Sequence, residues 1–206
     1  MVKTIISDFD CTLINCTLEA EFIKYLVRTK KLKIYHYLLS PFVIFFNFFP
    51  LYVFKTEAWF KTWTLHLHEQ EQKKMFEHFF SEYIKNDLIN YKVLELIKDF
   101  NGNKILLTGC YEPLASFYLE KLNIKSVFDK VIGCRMGMFN FFINHHPYGR
   151  DKVKFLYGHS CSIGLGDSFS DNYFLNHCQK VYIVGDNKKL IDYAFKNNWN
   201  FEIINS

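Results

Sequence analysis

The chain begins with a short run of strand formers, Val2, Thr4, Ile5 and Ile6, that stops at two carboxylates, Asp8 and Asp10, flanking Phe9. A run with so few polar positions suits a strand buried on both faces of a parallel sheet. From Leu18 to about Arg28 the period lengthens, and Leu18, Phe22, Tyr25 and Leu26 form one stripe at helical spacing. Glu69 to Asp87 reads as a helix with Met75, Phe79 and Tyr83 on one side, and Val93 to Phe100 as another that Asn101-Gly102 ends. Beyond it strands and helices alternate. The strands are expected over Lys104 to Leu107, Lys130 to Gly133, Ser162 to Leu165, Lys180 to Val184 and Phe201 to Ile204. Between them the pattern predicts helices over Glu112 to Leu122, Asp151 to Tyr157, Asp171 to His177 and Lys188 to Lys196, with Gly137 to Asn144 as a small antiparallel excursion. Such alternation implies an α/β fold, a parallel sheet with helices on both faces.

One interval breaks this pattern. Between Lys33 and Lys55 there is no Asp, Glu, Lys or Arg, and the stretch from Ile34 to Phe54 is dense in Phe, Tyr, Leu and Ile. A single helix of that length would reach about 32 Å, near the hydrocarbon thickness of a bilayer. Pro41 and Pro50 interrupt it, and His36 and Asn47 are polar, so two short helices at a membrane interface fit better than a span. The basic group Lys24, Arg28, Lys30, Lys31 and Lys33 on one side, and Trp59 and Trp63 on the other, suit anionic headgroups. The alternative is that the interval is the apolar inside of a helical insert.

Composition narrows the picture further. Half of the 206 residues are hydrophobic, which excludes a disordered chain, and 19% are aromatic, with 23 Phe and 13 Tyr. The formal charge is only +4 and there is no basic arm, so nucleic acid is a poor partner. Cys11, Cys16, Cys110, Cys134, Cys161 and Cys178 show neither a C-x-x-C pair nor a disulfide-framework spacing and are expected as reduced thiols. The start lacks the charged and apolar pattern of a secretory signal, which favours an intracellular location.

Candidate chemistry gathers at strand ends. Asp8 and Asp10 would repel each other unless a cation or a shared proton compensates them, and open α/β sheets place ligand sites beyond strand carboxyl ends. Thr108-Gly109 ends the strand Ile105-Leu106-Leu107, offering a hydroxyl and an unobstructed backbone N–H. Lys152 stands at a helix start, with Arg150 as a second candidate cation. In Gly164-Leu165-Gly166-Asp167-Ser168-Phe169-Ser170-Asp171 the glycines permit close backbone turns, and Asp167 and Asp171 lie one helical turn apart. His66 with His68, and His145 with His146, lack a second ligand group at matching spacing and read as solvated or core side chains.

Taken in order, D-x-D-x-T from Asp8 to Thr12, Thr108-Gly109, Lys152, and Asp167 to Asp171 resemble the four-part signature of the haloacid dehalogenase (HAD) superfamily. The resemblance implies a Rossmann-like parallel sheet with an all-helical cap inserted after the first strand, residues 1–14 and 91–206 being the core and 15–90 the cap. It implies Asp8 as a nucleophile that forms an aspartyl phosphate, and Asp10 as the acid and base. Thr108, Gly109 and Lys152 would bind phosphate. Asp8, the Asp10 carbonyl and Asp167 would hold Mg²⁺, with Thr12, Asp171 and Asn172 in support. The acid at Asp10 favours a phosphatase over a dehalogenase or P-type ATPase. Cys11 departs from the pattern, where most relatives carry Gly or a small residue, and a thiol there invites oxidation.

For the substrate, the insert position resembles the phosphoserine phosphatases, but the acidic residue they use after the first motif has only Thr17, with Glu19 and Glu21 displaced, to match it. A closer resemblance is to the bacterial phosphatidylglycerophosphatase C group, through the basic then apolar insert, T-G-x-x-x-P-L (Thr108, Gly109, Pro113, Leu114) and G-x-x-D-S-x-x-D-N ending at Asn172. It implies a phosphorylated lipid headgroup as substrate, an anionic membrane surface as partner and a place on the cytoplasmic side of the inner membrane. A soluble cytoplasmic small-metabolite phosphatase stays open.

Overall fold

A computed structural model describes residues 3–31, 69–83, 88–136, 143–156 and 160–205. The apolar interval Ile34 to Phe54, Trp59, Trp63, and the His66 and His68 pair lie outside these residues. So does most of the excursion expected over Gly137 to Asn144.

Strand β1 (Lys3–Ser7) runs between β2 (Asn103–Tyr111) and β5 (Ser160–Gly166), parallel to both. With β3 (Lys130–Met136), β6 (Lys180–Val184) and β7 (Phe201–Ile204), these form six parallel strands in the order β3-β2-β1-β5-β6-β7. The end of β3 pairs antiparallel with β4 (Ile143–His145), Arg135 opposite His145. Lys3 is exposed, but Thr4, Ile5, Ile6 and Ser7 are buried, as the apolar run predicts for a central strand. The strand order runs away from β1 in both directions, so right-handed crossovers place the helix after β2 on one face and those after β5 and β6 on the other. The carboxyl end of β1, where Asp8 sits, is therefore the topological switch point.

The connecting helices carry local signals. Helix α3 (Tyr91–Asp99) starts at Asn90, whose side chain accepts from the Val93 N–H, and buries Val93, Leu94 and Ile97. Helix α4 (Glu112–Lys121) has Pro113 in its first turn and buries Leu114, Ala115, Tyr118 and Leu119. Asn187 caps α6 (Lys188–Lys196) by accepting from the Leu190 N–H at 3.2 Å. The core on that face joins Ile6, Ile105, Leu107 and Ile183 to Leu190, Ala194 and Phe174.

Some expected elements differ. The stretch from Asp151 is a 3-10 helix, Gly149–Leu156, and that from Asp171 is a 3-10 turn, Phe169–Asp171, followed by the short α5 (Asn172–Leu175). Strand β2 does not stop at Thr108. Its register shifts between Leu107, opposite Ile132, and Tyr111, opposite Cys134, so Thr108-Gly109 occupies an irregularity inside a longer strand.

The cysteines need a correction. Cys161 and Cys178 are joined in a disulfide, not reduced, while Cys11, Cys16, Cys110 and Cys134 are free thiols as expected. The pair is 17 residues apart and is brought together only because the chain returns from α5 along β5, where the Gln179 N–H donates to the Cys161 carbonyl. Spacing alone could not show it. Gly164 has a related reason: a Cβ there would stand 2.7 Å from Cys178 Sγ and 2.8 Å from Leu175 Cδ2. It serves close packing beneath α5, not a turn.

The chain divides into two compact units. The parallel strands through Cys134 and helices α3 to α6 belong to the first, 1–17, 87–134 and 146–206. The second, 18–86 and 135–145, contains α1 (Leu18–Arg28) and α2 (Glu69–Tyr83). Its described core is aromatic, with the Phe22 ring edge-on to Phe76 at 5.4 Å and to Phe79 at 5.1 Å. The predicted stripe Leu18, Phe22, Tyr25 and Leu26 is the buried face of α1. Of the basic group beside it, Lys24 pairs with Glu21 at 2.6 Å and Lys31 donates to the Tyr25 hydroxyl at 2.6 Å. Among the described residues no helix is long and apolar enough to cross a membrane.

Candidate active site

The first carboxylate is fixed by the strand that delivers it. The Asp8 N–H donates to the Leu165 carbonyl at 2.9 Å, tying it to β5. The chain then turns sharply, the Phe9 carbonyl accepting from the N–H groups of Thr12, Leu13 and Ile14. Phe9 is buried and meets Tyr118 of α4 edge-on at 6.1 Å, which anchors the turn in the core. Asp10 lies partly exposed in this turn and Cys11 holds a left-handed φ of 56°. Burial pushes the Cys11 thiol up, with Asp167, Asp10 and Asp8 adding to it, against the lowering contact with the Thr17 hydroxyl. At neutral pH it stays the less reactive thiol.

Lys152 is buried beneath this turn, with Nζ 2.9 Å from Asp8 Oδ1 and 2.6 Å from Asp171 Oδ1. Asp171 is itself held in place: its Oδ2 accepts from the Ser168 N–H at 3.1 Å and the Ser168 hydroxyl at 2.9 Å. Ser168 and Asp171 form a reciprocal capping box that closes the turn. A Cβ at Gly166 would stand 3.0 Å from the Asp171 side chain, so glycine lets β5 approach it. Asn172, also buried, donates to the Phe169 carbonyl at 2.6 Å. Asp167 accepts from the Thr12 hydroxyl at 2.9 Å, linking the turn after β1 to the turn after β5.

Carboxylate oxygens of Asp8, Asp167 and Asp171 lie within 4.8 Å of one another. Lys152 is the one cation paired with this cluster among the described residues. Burial raises the Asp8 carboxyl to about 7, partly opposed by Lys152 and reinforced by Asp171 and Asp167. Burial likewise raises Asp167 to about 6, with Asp171 adding to it and the Thr12 hydrogen bond opposing it. For Lys152 burial pushes down, but Asp171 and Asp8 outweigh it and hold the ammonium above its usual range. The cluster of Asp8, Asp167 and Asp171 has more negative than positive groups and all its donors are hard oxygens, so these residues fit a hard divalent cation such as Mg²⁺.

Thr108 is buried, and its Oγ1 accepts from the Cys110 N–H at 3.0 Å, which leaves the hydroxyl proton to be donated elsewhere. Gly109 is partly exposed beside it. Arg150 is exposed and no ion pair of it stands among those of the site. The structure thus brings Asp8, Thr12, Lys152, Asp167 and Asp171 into one connected assembly, while Asn172, next along the chain, bonds to the Phe169 carbonyl. Two contributors were not singled out from sequence. Ser168 carried a readable signal, the S-x-x-D spacing to Asp171. Tyr148 carried none, because only the fold sets its ring against Gly109, with Cδ2 3.3 Å from where a Cβ would stand.

Comparison with known proteins agrees with this architecture. A haloacid dehalogenase-like hydrolase family model matches residues 5–175. A protein of unknown function from Bordetella pertussis Tohama I shares the fold at a TM-score of 0.75 and 14% identity, over 97% of both chains. A substrate-bound phosphoserine phosphatase complex matches at a TM-score of 0.51 and 14% identity, over 93% of this chain and 90% of its own. A phosphoserine phosphohydrolase-like protein from Francisella tularensis subsp. tularensis SCHU S4 matches at 0.51 and 17%, over 98% and 94%. No curated protein matches the chain. With 171 of its 206 residues spanned by the family model, the chain belongs to the haloacid dehalogenase-like hydrolases.

Proposed function

We propose that the protein is a Mg²⁺-dependent phosphomonoester hydrolase working through an aspartyl phosphate on Asp8. The observation that carries this reading is the buried Asp8–Lys152–Asp171 chain, with Asp167 beside it. Lys152 orients Asp8 Oδ1 and offsets its charge, so the carboxylate can approach an anionic phosphoryl group. Asp171, locked by Ser168, holds Lys152 in place. The Thr108 hydroxyl and the Gly109 N–H donate to phosphoryl oxygens. Asp10 protonates the leaving alkoxide and then takes a proton from the water that cleaves the acyl phosphate. Magnesium, held by Asp8, Asp167 and the Asp10 carbonyl, would supply charge neutralisation of the phosphoryl oxygens when bound.

The segment from 15 to 90, to which α1 and α2 belong, acts as a cap, and residues 1–14 and 91–206 as the catalytic core. The substrate we favour is the terminal phosphate of phosphatidylglycerophosphate, giving phosphatidylglycerol. What supports it is the sequence: the Pro-interrupted apolar interval Ile34 to Phe54 and its basic flank. A second reading, a soluble phosphatase of the phosphoserine type, is favoured by the fold shared with the phosphoserine phosphatase complex. Against it, Glu21, one of the displaced acids, is paired with Lys24 on α1.

The test is phosphate release from phosphatidylglycerophosphate in mixed micelles, phosphoserine and p-nitrophenyl phosphate, with Mg²⁺ and with EDTA. Mg²⁺-dependent release, greatest on the lipid, is expected. Preference for phosphoserine, unaffected by detergent or lipid, would favour the second reading, and no release from any of them would end both.

A further inference from the structure

Water does not solvate the charge of Lys152, so what surrounds the ammonium decides where it stays. It has three N–H groups to place. Two carboxylate oxygens stand beside it, Asp171 Oδ1 at 2.6 Å and Asp8 Oδ1 at 2.9 Å. The same nitrogen lies over the ring of Phe174, 5.2 Å from its centroid. An aromatic face is the negative side of the ring's quadrupole, so it attracts a cation without adding another anion to a cluster that already holds three carboxylates.

Phe174 is fully buried, so core packing fixes its ring. It stands in α5, three residues after Asp171, and one turn of chain thus presents both the carboxylate and the ring to Lys152. The ring belongs to the same core as Leu156, in the 3-10 helix that carries Lys152, and Ile6 of β1, two residues before Asp8. The three elements that bring Asp8, Lys152 and Asp171 together are therefore anchored around it. Other lysines that meet rings do so in solvent: Lys31 on Tyr25 and Lys121 on Phe117 are exposed, and water screens their attraction. Over Phe174 the cation is desolvated, where such a contact is strongest.

We infer that Phe174 is a positioning residue for phosphoryl transfer, its ring face holding the Lys152 ammonium against Asp8 Oδ1 and keeping water from that side. This rests on the phosphomonoesterase reading above. Phe174 acts through Lys152 and touches neither substrate nor metal. A less firmly held ammonium offsets the charge of Asp8 and of an approaching phosphoryl group less well, which lowers kcat/KM.

The experiment replaces Phe174, in the full chain, with mono-, di- and trifluorinated phenylalanine, which keep the shape of the ring and withdraw charge from its face step by step, and with leucine, which removes the face. With Mg²⁺ and p-nitrophenyl phosphate, kcat/KM should fall in the order of fluorine number, on the order of tenfold by the trifluorinated ring and no less in Phe174→Leu. Inhibition by inorganic phosphate should weaken in the same order. Urea melts in EDTA follow the same series in the wild-type background and in Lys152→Met. Fluorine should lower the midpoint stepwise where Lys152 is present and not where methionine replaces it, because packing costs are common to both backgrounds. A kcat/KM unrelated to fluorine number, or equal midpoint trends in the two backgrounds, would overturn the assignment and leave Phe174 as core packing. Should Lys152→Met fail to fold, the fluorine order in kcat/KM decides alone. A wild type inert on every phosphomonoester with Mg²⁺ would overturn the parent reading and the positioning role with it, whereas the melts, which use neither substrate nor metal, test the hold on Lys152 by themselves.

Discussion

Replacing Lys152 with Met keeps most of the side-chain volume and removes the charge that joins Asp8 to Asp171. Lys152 is 2% exposed, so the two carboxylates lose a partner that water cannot replace. Breaking a buried pair from one side costs about 3–5 kcal/mol. The pH dependence follows from Asp8, whose carboxyl burial raises to about 7 in the folded state even with Lys152 opposing it. A raised acid destabilises the fold as pH rises, because the folded state binds the proton more tightly than the unfolded one. In the metal-free wild type this loss proceeds from about pH 4, the unfolded value, and stops near 7. Without Lys152 the folded value rises further, so the loss continues. Lys152 also opposes the rise at Asp167, which stands at about 6 in the wild type, so the stability gap between the proteins should be flat below pH 6 and widen above it by up to about 1.4 kcal/mol per pH unit for each carboxyl. Urea melts in EDTA at pH 5, 6, 7 and 8 measure it. A gap that stays constant to pH 8, or narrows, would refute the role assigned to this pair.

Asp10→Asn should lower turnover of an alkyl phosphate on the order of 10²- to 10⁴-fold and that of p-nitrophenyl phosphate much less, since a good leaving group needs no proton; equal losses in steady-state assays would count against Asp10 as the acid. Burial holds Asp8 near 7 and Asp167 near 6 without metal, so Mg²⁺ binding at pH 6 should release protons and tighten toward pH 8. Calorimetry in two buffers of different ionisation enthalpy detects this, and no proton release would mean the cation sits elsewhere. Cys11→Gly relieves a left-handed φ of 56° and should stabilise the fold by about 0.5–1 kcal/mol, raising the midpoint in thermal melts; a lowered midpoint would show that the side chain contributes packing.

Where one local rule decided the outcome, the sequence was easy to read. The bounds of β6, β7 and α6 follow from short apolar runs between turn residues, and the α1 stripe from its period. The Asp8, Lys152, Asp167 and Asp171 assembly was legible because four motifs follow one another in order, although each alone is commonplace. What stayed hidden depends on contacts across the sheet. The register shift that leaves Thr108-Gly109 inside β2 needs the position of β3, and the Cys161–Cys178 disulfide needs the return past α5. Gly164 looked like a turn residue and proves to be a packing one, because its neighbour is Cys178 and not its own loop. Tyr148 had no pattern at all.

The central claim is that Asp8 takes the phosphoryl group. The direct measurement is acid quench of the enzyme during turnover of a radiolabelled phosphomonoester with Mg²⁺, followed by peptide mapping. A label that is stable in acid, released by hydroxylamine and located on the peptide containing Asp8 is the predicted result, with no label in Asp8→Asn, which should also be inactive. Turnover without any labelled enzyme, or label and activity surviving in Asp8→Asn, would contradict it.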